Sequence, residues 1–519
     1  MSTAIVWLRS TLRVHDNPLL DWAHRSEEID SVIPVFVLDT GRGMGREEQV
    51  GPNRMRFLYD SLTDLDDRLR SEYSARLLVL EGSPEEAIPL LAGGLGSTGW
   101  LLCDYQTDPR SRGHIGEIEA SVSEMGVRTK VFPSVSTILD IEEAIARPGF
   151  RHPKSSSDIG AIMGRNLGEG PDGYLVPPPL DPAAGVKFEA EEYDSLRGSE
   201  SLTGLIVTRG EISRRVNDLD TGEPYFPGGE GEALDRLRRK VSDRPDFVNG
   251  FRKPATMSTN EAGNPLEPST TGLSPYLSTG CLSVRKVWEE CQKANLGTDH
   301  TKPPQSLIGQ LMFREMFYVL SRSVENWDDD VGNSNCKPIE WGGHDEELVS
   351  AWERGMTGYP YIDAMMRQLE ATGWMHHLGR HAVSCFLTRG QLWQNWKHGR
   401  DVFDRKLVDS DWAVNNGNWL WLAGVAPFSM PYYRVYNPCP DSKSSLNVEA
   451  KEASFIRHWV PELASFPSKY IFEPHLAPEH VQEDAGCVIG TDYPSPIVDR
   501  KESRRVNLGL FKESLARIA

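Results

Sequence analysis

The chain has 519 residues, 39% of them hydrophobic, and a formal net charge of −19, which suits two to four domains with sizeable cores. No run of about eighteen or more apolar residues is present, which excludes a helical membrane span. The acidic balance excludes loose coating of nucleic acid, so any DNA contact must use a local basic patch.

The N-terminal segment MSTAIVWL reads as a first β-strand and not as a signal peptide. Over residues 1–140, short apolar runs (AIVWL, VIPVFVL, RLLVLEG, WLLCDY, TKVFPS) alternate with amphipathic stretches such as RMRFLYDSLTDLDDRLRSEY. That alternation predicts an α/β domain with a parallel, doubly wound sheet covered by helices. Ligands in such folds sit at the carboxyl ends of strands. No GxGxxG follows the first strand, so the dinucleotide fingerprint is absent.

From 141 to 230 the periodicity decays into Pro-, Gly- and acid-rich stretches such as GEGPDGYLVPPPLDP, which read as a long connector over the surface. From 231 to 500 helix periodicity dominates, in LDRLRRKV, LIGQLMFREMFYVLSRSV, GYPYIDAMMRQLEATG and RDVFDRKLV, and predicts an all-α domain. Residues 501–519 read as a short charged tail. The basic run Arg236–Lys240 suits a solvated helix face better than a targeting signal. The seven cysteines (Cys103, Cys281, Cys291, Cys336, Cys385, Cys439 and Cys487) are scattered and lack metal-ligand spacing. They imply reduced thiols, a reducing nuclear or cytoplasmic setting, and no metal.

In STTGLSPYLSTGCLS, Ser269, Thr270, Thr271 and Ser274 offer hydroxyls just before a helix whose first turn suits Pro275. Such a helix start is a ready anion site, fitting a diphosphate. The same hydroxyls also suit ordinary N-capping.

The densest chemistry lies between Trp374 and Trp421, with six tryptophans, the group His376, His377, Arg380 and His381, and the carboxylates Asp409 and Asp411. Clustered histidines titrate near neutral pH and donate protons. Tryptophan is hard to bury fully because its N–H wants a partner. His377 and His381, four apart, share one helix face. DSDW could equally cap a helix. With Asn415, Asn416 and Asn418 close by, amides and carboxylates near tryptophans suit a flat heteroaromatic ring with polar edges, such as a flavin. Trp393 and Trp396 stand three apart, Trp419 follows and Trp341 lies upstream. At helical spacing such a stripe is more often core than an electron path.

Together the motifs TTGLSPYLSTGCLS, GQLMFREMFY, GYPYIDAMMRQL, HHLGRHAVSCFLTRG, DSDWAVNNGNWLW and RVYNP make the chain resemble the cryptochrome/photolyase family over nearly its whole length. HHLGRHAV places it on the side of the (6-4) photolyases and animal-type cryptochromes.

The resemblance implies an FAD cofactor held by Ser269, Thr270, Thr271, Leu273, Ser274, Gln310, His377, Arg380, Asp409, Asp411 and Asn415. It implies electron transfer through Trp419, Trp396 and Trp341, with Trp393 as a fourth member. His377 and His381 are implied as catalytic, and Phe313, Trp421 and Arg434 as lesion or DNA contacts. Phe313 stands where close relatives carry tryptophan. An antenna chromophore, a deazaflavin or a folate, could sit near Val35–Leu38, Arg54 and Cys103–Tyr105.

The implied activity is light-driven repair of (6-4) pyrimidine–pyrimidone photoproducts in UV-damaged DNA by a monomer. The alternative is a cryptochrome acting as a blue-light receptor or transcription regulator through signalling partners. The short charged C-terminal segment favours repair.

Overall fold

A computed structural model of the protein describes residues 2–39, 50–95, 98–171, 173–253, 258–260, 264, 266–440 and 448–518. The chain forms two compact units, Met1–Gly250 with Leu273–Arg322, and Phe251–Gly272 with Ser323–Ala519.

In the first unit, β1 (Thr3–Trp7), β2 (Ser31–Asp39), β3 (Leu78–Gly82), β4 (Thr98–Asp104) and β5 (Arg128–Phe132) form one sheet in the order β3-β2-β1-β4-β5. All four pairings are parallel. β1 is buried along its whole length, with Ile5 opposite Ile33 on β2 and Leu101 on β4. A strand covered on both faces needs apolar residues at every position, which is why AIVWL runs without alternation. The order reverses at β1, so the carboxyl ends of β1 and β4 flank a topological switch point. Each apolar run read from the sequence forms one strand of this sheet.

The helix Pro52–Tyr73 begins with proline in its first turn and buries Met55, Leu58, Leu62, Leu65 and Leu69 along one face. That three-to-four spacing puts the apolar residues on a single buried stripe. At the region read as an antenna site, Val35, Phe36, Val37, Leu38 and Cys103 are buried in the sheet. Arg54 and Tyr105 remain half-buried, and the Tyr105 hydroxyl donates to Glu142 Oε1 at 2.5 Å.

The stretch 141–230 holds more structure than its composition suggests, with helices Ile141–Ala146, Ser156–Leu167, Ala190–Arg197 and Arg209–Asp218. Tyr193, Leu196 and Leu202 join the core cluster of the sheet, and the backbone N–H of Val32 donates to Lys187 O at 2.6 Å. The basic run divides. Arg238 and Arg239 are exposed and paired with acids, including Asp235. Arg236 and Lys240 are buried, and the Arg236 guanidinium lies 4.9 Å from the centre of the Phe226 ring. The run is therefore only half a solvated face, because alternate sides of this turn meet the core.

The second unit is helical among its described residues. All seven cysteines of the chain are buried free thiols. Among the described residues, no helix is long and apolar enough to cross a membrane.

Candidate functional site

Three helices of the second unit build the site: His377–Cys385, Trp396–Lys406 and Trp412–Leu422, the last packed against both others. Each starts on a side chain that accepts from a free backbone N–H, the usual reason a helix begins where it does. His376 Nδ1 accepts from Leu378 N at 3.1 Å, Asn395 Oδ1 from Lys397 N at 3.0 Å, and Asp411 Oδ1 from Val414 N at 2.9 Å. Asp411 thus takes the capping role left open by DSDW. Gly399 lets two of these helices approach, since a Cβ there would run into the indole of Trp419.

These elements enclose a cavity of about 540 Å³, mouth included, lined by Lys253, His377, Arg380, Asp409, Asn415 and Trp421 among others. That is within the range of pockets for small ligands and cofactors. Arg380 Nη2 donates to Asp409 Oδ2 at 2.8 Å, and Arg380 Nε to Met375 O at 2.9 Å. Asn415 Nδ2 donates to Arg400 O at 3.1 Å, an anchor that holds the amide in place.

His377 and His381 meet edge to face, ring centres 5.9 Å apart, and His376 lies 4.7 Å from His377. His381 Nδ1 and the Tyr436 hydroxyl share a 2.7 Å hydrogen bond. Burial pushes His376 and His381 down to about 3, helped by Arg380 at His376 and by Lys253 at His381. His377 is driven well below the usual histidine range, first by burial and then by His376, Lys253, His381 and Arg380. All three rings are therefore neutral at pH 7 in the protein alone. Lys253 has its ammonium 4.6 Å from the centre of the Trp421 ring, and burial lowers it to about 8.

Three buried polar atoms of cavity-lining residues lack a hydrogen-bond partner, Asp409 Oδ1, His377 Nε2 and Trp419 Nε1. Such atoms normally cost free energy unless something satisfies them. A carboxylate oxygen, an amide and an arginine around one flat space fit the polar edge of an isoalloxazine ring. The donor set therefore suits a flavin.

Of the tryptophans, Trp419 and Trp396 are fully buried, while Trp341 is half-buried. Trp341 and Trp393 lie 4.9 Å apart between ring centres. Trp419 meets Phe403 at 5.0 Å and Trp352 at 6.4 Å.

The remaining sequence candidates divide between the two units. Leu273, not a hydroxyl residue, is the N-cap of the helix Ser274–Thr279, which takes no side-chain cap. Ser269, Thr270 and Thr271 precede it, half-buried, in the second unit, while Leu273 and Ser274 belong to the first. Gln310 and Phe313 lie on the first unit's helix Leu307–Ser323, and Gln310 Nε2 donates to Pro304 O at 3.2 Å. Arg434 is exposed, and Trp421 is half-buried at the cavity. Sequence reasoning missed Lys253 and Tyr436. Tyr436 lies inside RVYNP, a motif already singled out, whereas Lys253 stands in a stretch with no periodicity to mark it.

Comparison with known proteins bears on this geometry. Residues 4–156 match the family model described as DNA photolyase, and residues 307–513 match the FAD binding domain of DNA photolyase. The chain is 40% identical over 514 residues to a (6-4)DNA photolyase of Oryza sativa subsp. japonica, covering 96% of this chain and 87% of that protein. It is 36% identical over 516 residues to Cryptochrome-2 of Gallus gallus, covering 98% and 83%. Among solved structures, a bacterial class III photolyase from Agrobacterium tumefaciens superposes with a TM-score of 0.75 at 25% identity, covering 99% of this chain and 98% of that one.

Proposed function

The chain belongs to the cryptochrome/photolyase family, and from that membership we propose that it is a (6-4) photolyase, a light-driven carbon–carbon lyase acting on (6-4) photoproducts in UV-damaged DNA. The observation that carries the reading is His377: it lines the cavity, its Nε2 has no partner, and His381 stands against its ring. That is a proton donor placed to meet a hydroxyl brought in from outside.

Bound there in its reduced form, FAD would supply light-driven, reversible one-electron chemistry with no net redox change. The chain's own residues do the rest. The lesion must leave the duplex to reach the cavity, where Trp421 offers a face for a flipped base; Phe313, on the first unit's helix Leu307–Ser323, is a further lesion contact of this reading. Arg434 is a phosphate contact that positions the strand. Ser269, Thr270, Thr271, Leu273, Ser274 and Gln310 hold the cofactor's phosphates and remaining edges. Arg380, Asp409, Asp411 and Asn415 orient its ring. Trp419, Trp396, Trp341 and Trp393 carry electrons to it from the surface.

His377 gives its Nε2 proton to the hydroxyl that moves between the two pyrimidines, and His381, fixed by Tyr436, holds its ring. Because the surrounding cations and burial keep His377 neutral in the protein alone, the negative charge of the damaged strand is what favours its protonation. An antenna chromophore, a deazaflavin or a folate, would sit near Val35–Leu38, Arg54 and Cys103–Tyr105 on this reading.

The test is repair under blue light. Reduced protein is given oligonucleotides with one (6-4) photoproduct or one cyclobutane dimer, with dark controls. Light-dependent repair of the (6-4) lesion alone is the expected result. A cryptochrome-type signalling role is supported by the 36% identity to Cryptochrome-2 of Gallus gallus. Repair of neither lesion by a protein whose bound FAD still photoreduces would favour it.

A further inference from the structure

The outer pair of tryptophans meets an aromatic cluster that the reading above does not use. Trp341 and Trp393 touch Phe511 edge to face, at 6.1 and 6.3 Å between ring centres. Phe511 is fully buried and comes from the C-terminal helix Arg500–Ile518. Its other side stacks on Tyr432, centres 4.9 Å apart and planes within 3° of parallel. Tyr432 in turn meets Tyr433 at 5.7 Å, and Tyr433 is 58% exposed. All five rings lie in the second unit.

The cluster is held rigidly. Arg389 is buried and directs its guanidinium at backbone carbonyls, those of Leu422 at 3.3 Å, Tyr432 at 2.9 Å and Arg434 at 2.6 Å. The C-terminal helix is fastened by an Arg517–Glu340 ion pair and by Glu340 N donating to Ser514 Oγ at 3.3 Å. Apolar packing alone accounts for Phe511. Stacked on it, the half-buried Tyr432 brings an oxidisable phenol within one ring of the outer tryptophans.

We propose that Tyr432 is an electron donor beyond the tryptophans, coupled to them through the Phe511 ring. The inference rests on reading Trp419, Trp396, Trp341 and Trp393 as an electron path. In the step, an oxidised indole radical cation at Trp341 or Trp393 takes one electron from the Tyr432 phenol. The phenolic O–H bond breaks and its proton goes to water. The products are a neutral indole, a neutral tyrosyl radical and a solvated proton. Phe511 is neither oxidised nor reduced. Proton loss at Tyr432 removes the charge that would otherwise draw the electron back. An external thiol then restores Tyr432 by giving one electron and one proton.

The test uses the full chain with FAD bound, grown with ring-deuterated tyrosine. After a light flash, paramagnetic resonance of the wild type should show a tyrosyl signal that narrows on deuteration. Tyr432→Phe should lose it and leave the radical on tryptophan, while Tyr433→Phe keeps it. Phe511→Leu, with an unchanged melting curve, should also lose it. A second measurement needs no light. Azide radicals made by pulse radiolysis oxidise indoles selectively, and the slower phase that passes the oxidation from tryptophan to tyrosine should diminish in Tyr432→Phe. Tryptophan radicals with no tyrosyl signal, or a tyrosyl signal that survives Tyr432→Phe, would overturn the proposal. Absence of any tryptophan radical after the flash would instead overturn the electron path on which it rests.

Discussion

Arg380 donates to one oxygen of Asp409 at 2.8 Å, while the other oxygen of that carboxylate is buried without a partner. The half-satisfied carboxylate ties stability to cofactor binding. Asp409→Ala leaves the Arg380 guanidinium, 18% exposed, with the Met375 carbonyl as its remaining hydrogen-bond partner. Breaking a buried pair from one side costs about 3 kcal/mol. Urea unfolding should show that loss, together with FAD lost on gel filtration. Asp409→Asn keeps an acceptor for Arg380 and should lose less stability than Ala.

His377→Ala should still fold, bind flavin and bind lesion DNA, yet lose repair by about 100-fold or more, the contribution expected of a positioned proton donor. Single-turnover repair by pre-reduced protein measures it. Normal repair would remove His377 from the donor role.

Lys253 sets where that donor works. Its charge lowers the His377 value, as does burial. Repair needs protonated His377, so it falls as pH rises through the His377 pKa. Lys253→Met removes a neighbouring cation, raises that pKa and should move the falling limb of the pH–rate profile to higher pH. A limb that stays in place or moves lower would exclude the electrostatic link.

Trp419 is fully buried and its indole N–H has no partner, so Trp419→Phe removes a ring without breaking a hydrogen bond. The variant should fold, fail to photoreduce oxidised flavin, and repair normally once reduced chemically. Unchanged photoreduction would mean that electrons enter by another route.

The three histidines make the fold acid-sensitive at an unusually high pH. His376 and His381 fall from 6.5 in the unfolded chain to about 3 in the folded one, and His377 falls as well. The unfolded chain therefore binds more protons across this window. Their stability contribution is complete above pH 6.5 and is lost as pH falls from there toward 3, by up to about 1.4 kcal/mol per unit for each ring. His376→Asn, which keeps a side chain able to cap the helix, should lose less melting temperature between pH 7 and pH 5 than the wild type.

The sheet was legible because a strand buried on both faces leaves no choice of residue: AIVWL and WLLCDY could hardly be anything else. The helices within 141–230 were not, because Ala190–Arg197 is short and mostly exposed and is held by Tyr193 and Leu196 reaching the sheet. That is a tertiary effect with no local pattern. At the site, the histidine pair was readable from its spacing of four, and the carboxylates from their density. Lys253 was not, because only the folded chain brings it more than a hundred residues away in sequence to Trp421 and His377. Asp411 was ambiguous for a physical reason, since the same carboxylate that suits a cofactor also suits a helix start.

One helix, Trp412–Leu422, carries Asn415, Trp419 and Trp421, all three lining the cavity, and Asp411 begins it. On the function proposed above, ligand orientation, electron supply and substrate contact share a single rigid body about eleven residues long. A change that tilts this helix to improve one of them disturbs the other two at the same time. The protein has no modular route by which its photochemistry could be retuned while its recognition stayed fixed, and engineering for a new lesion or a new colour response would have to begin on the neighbouring helices.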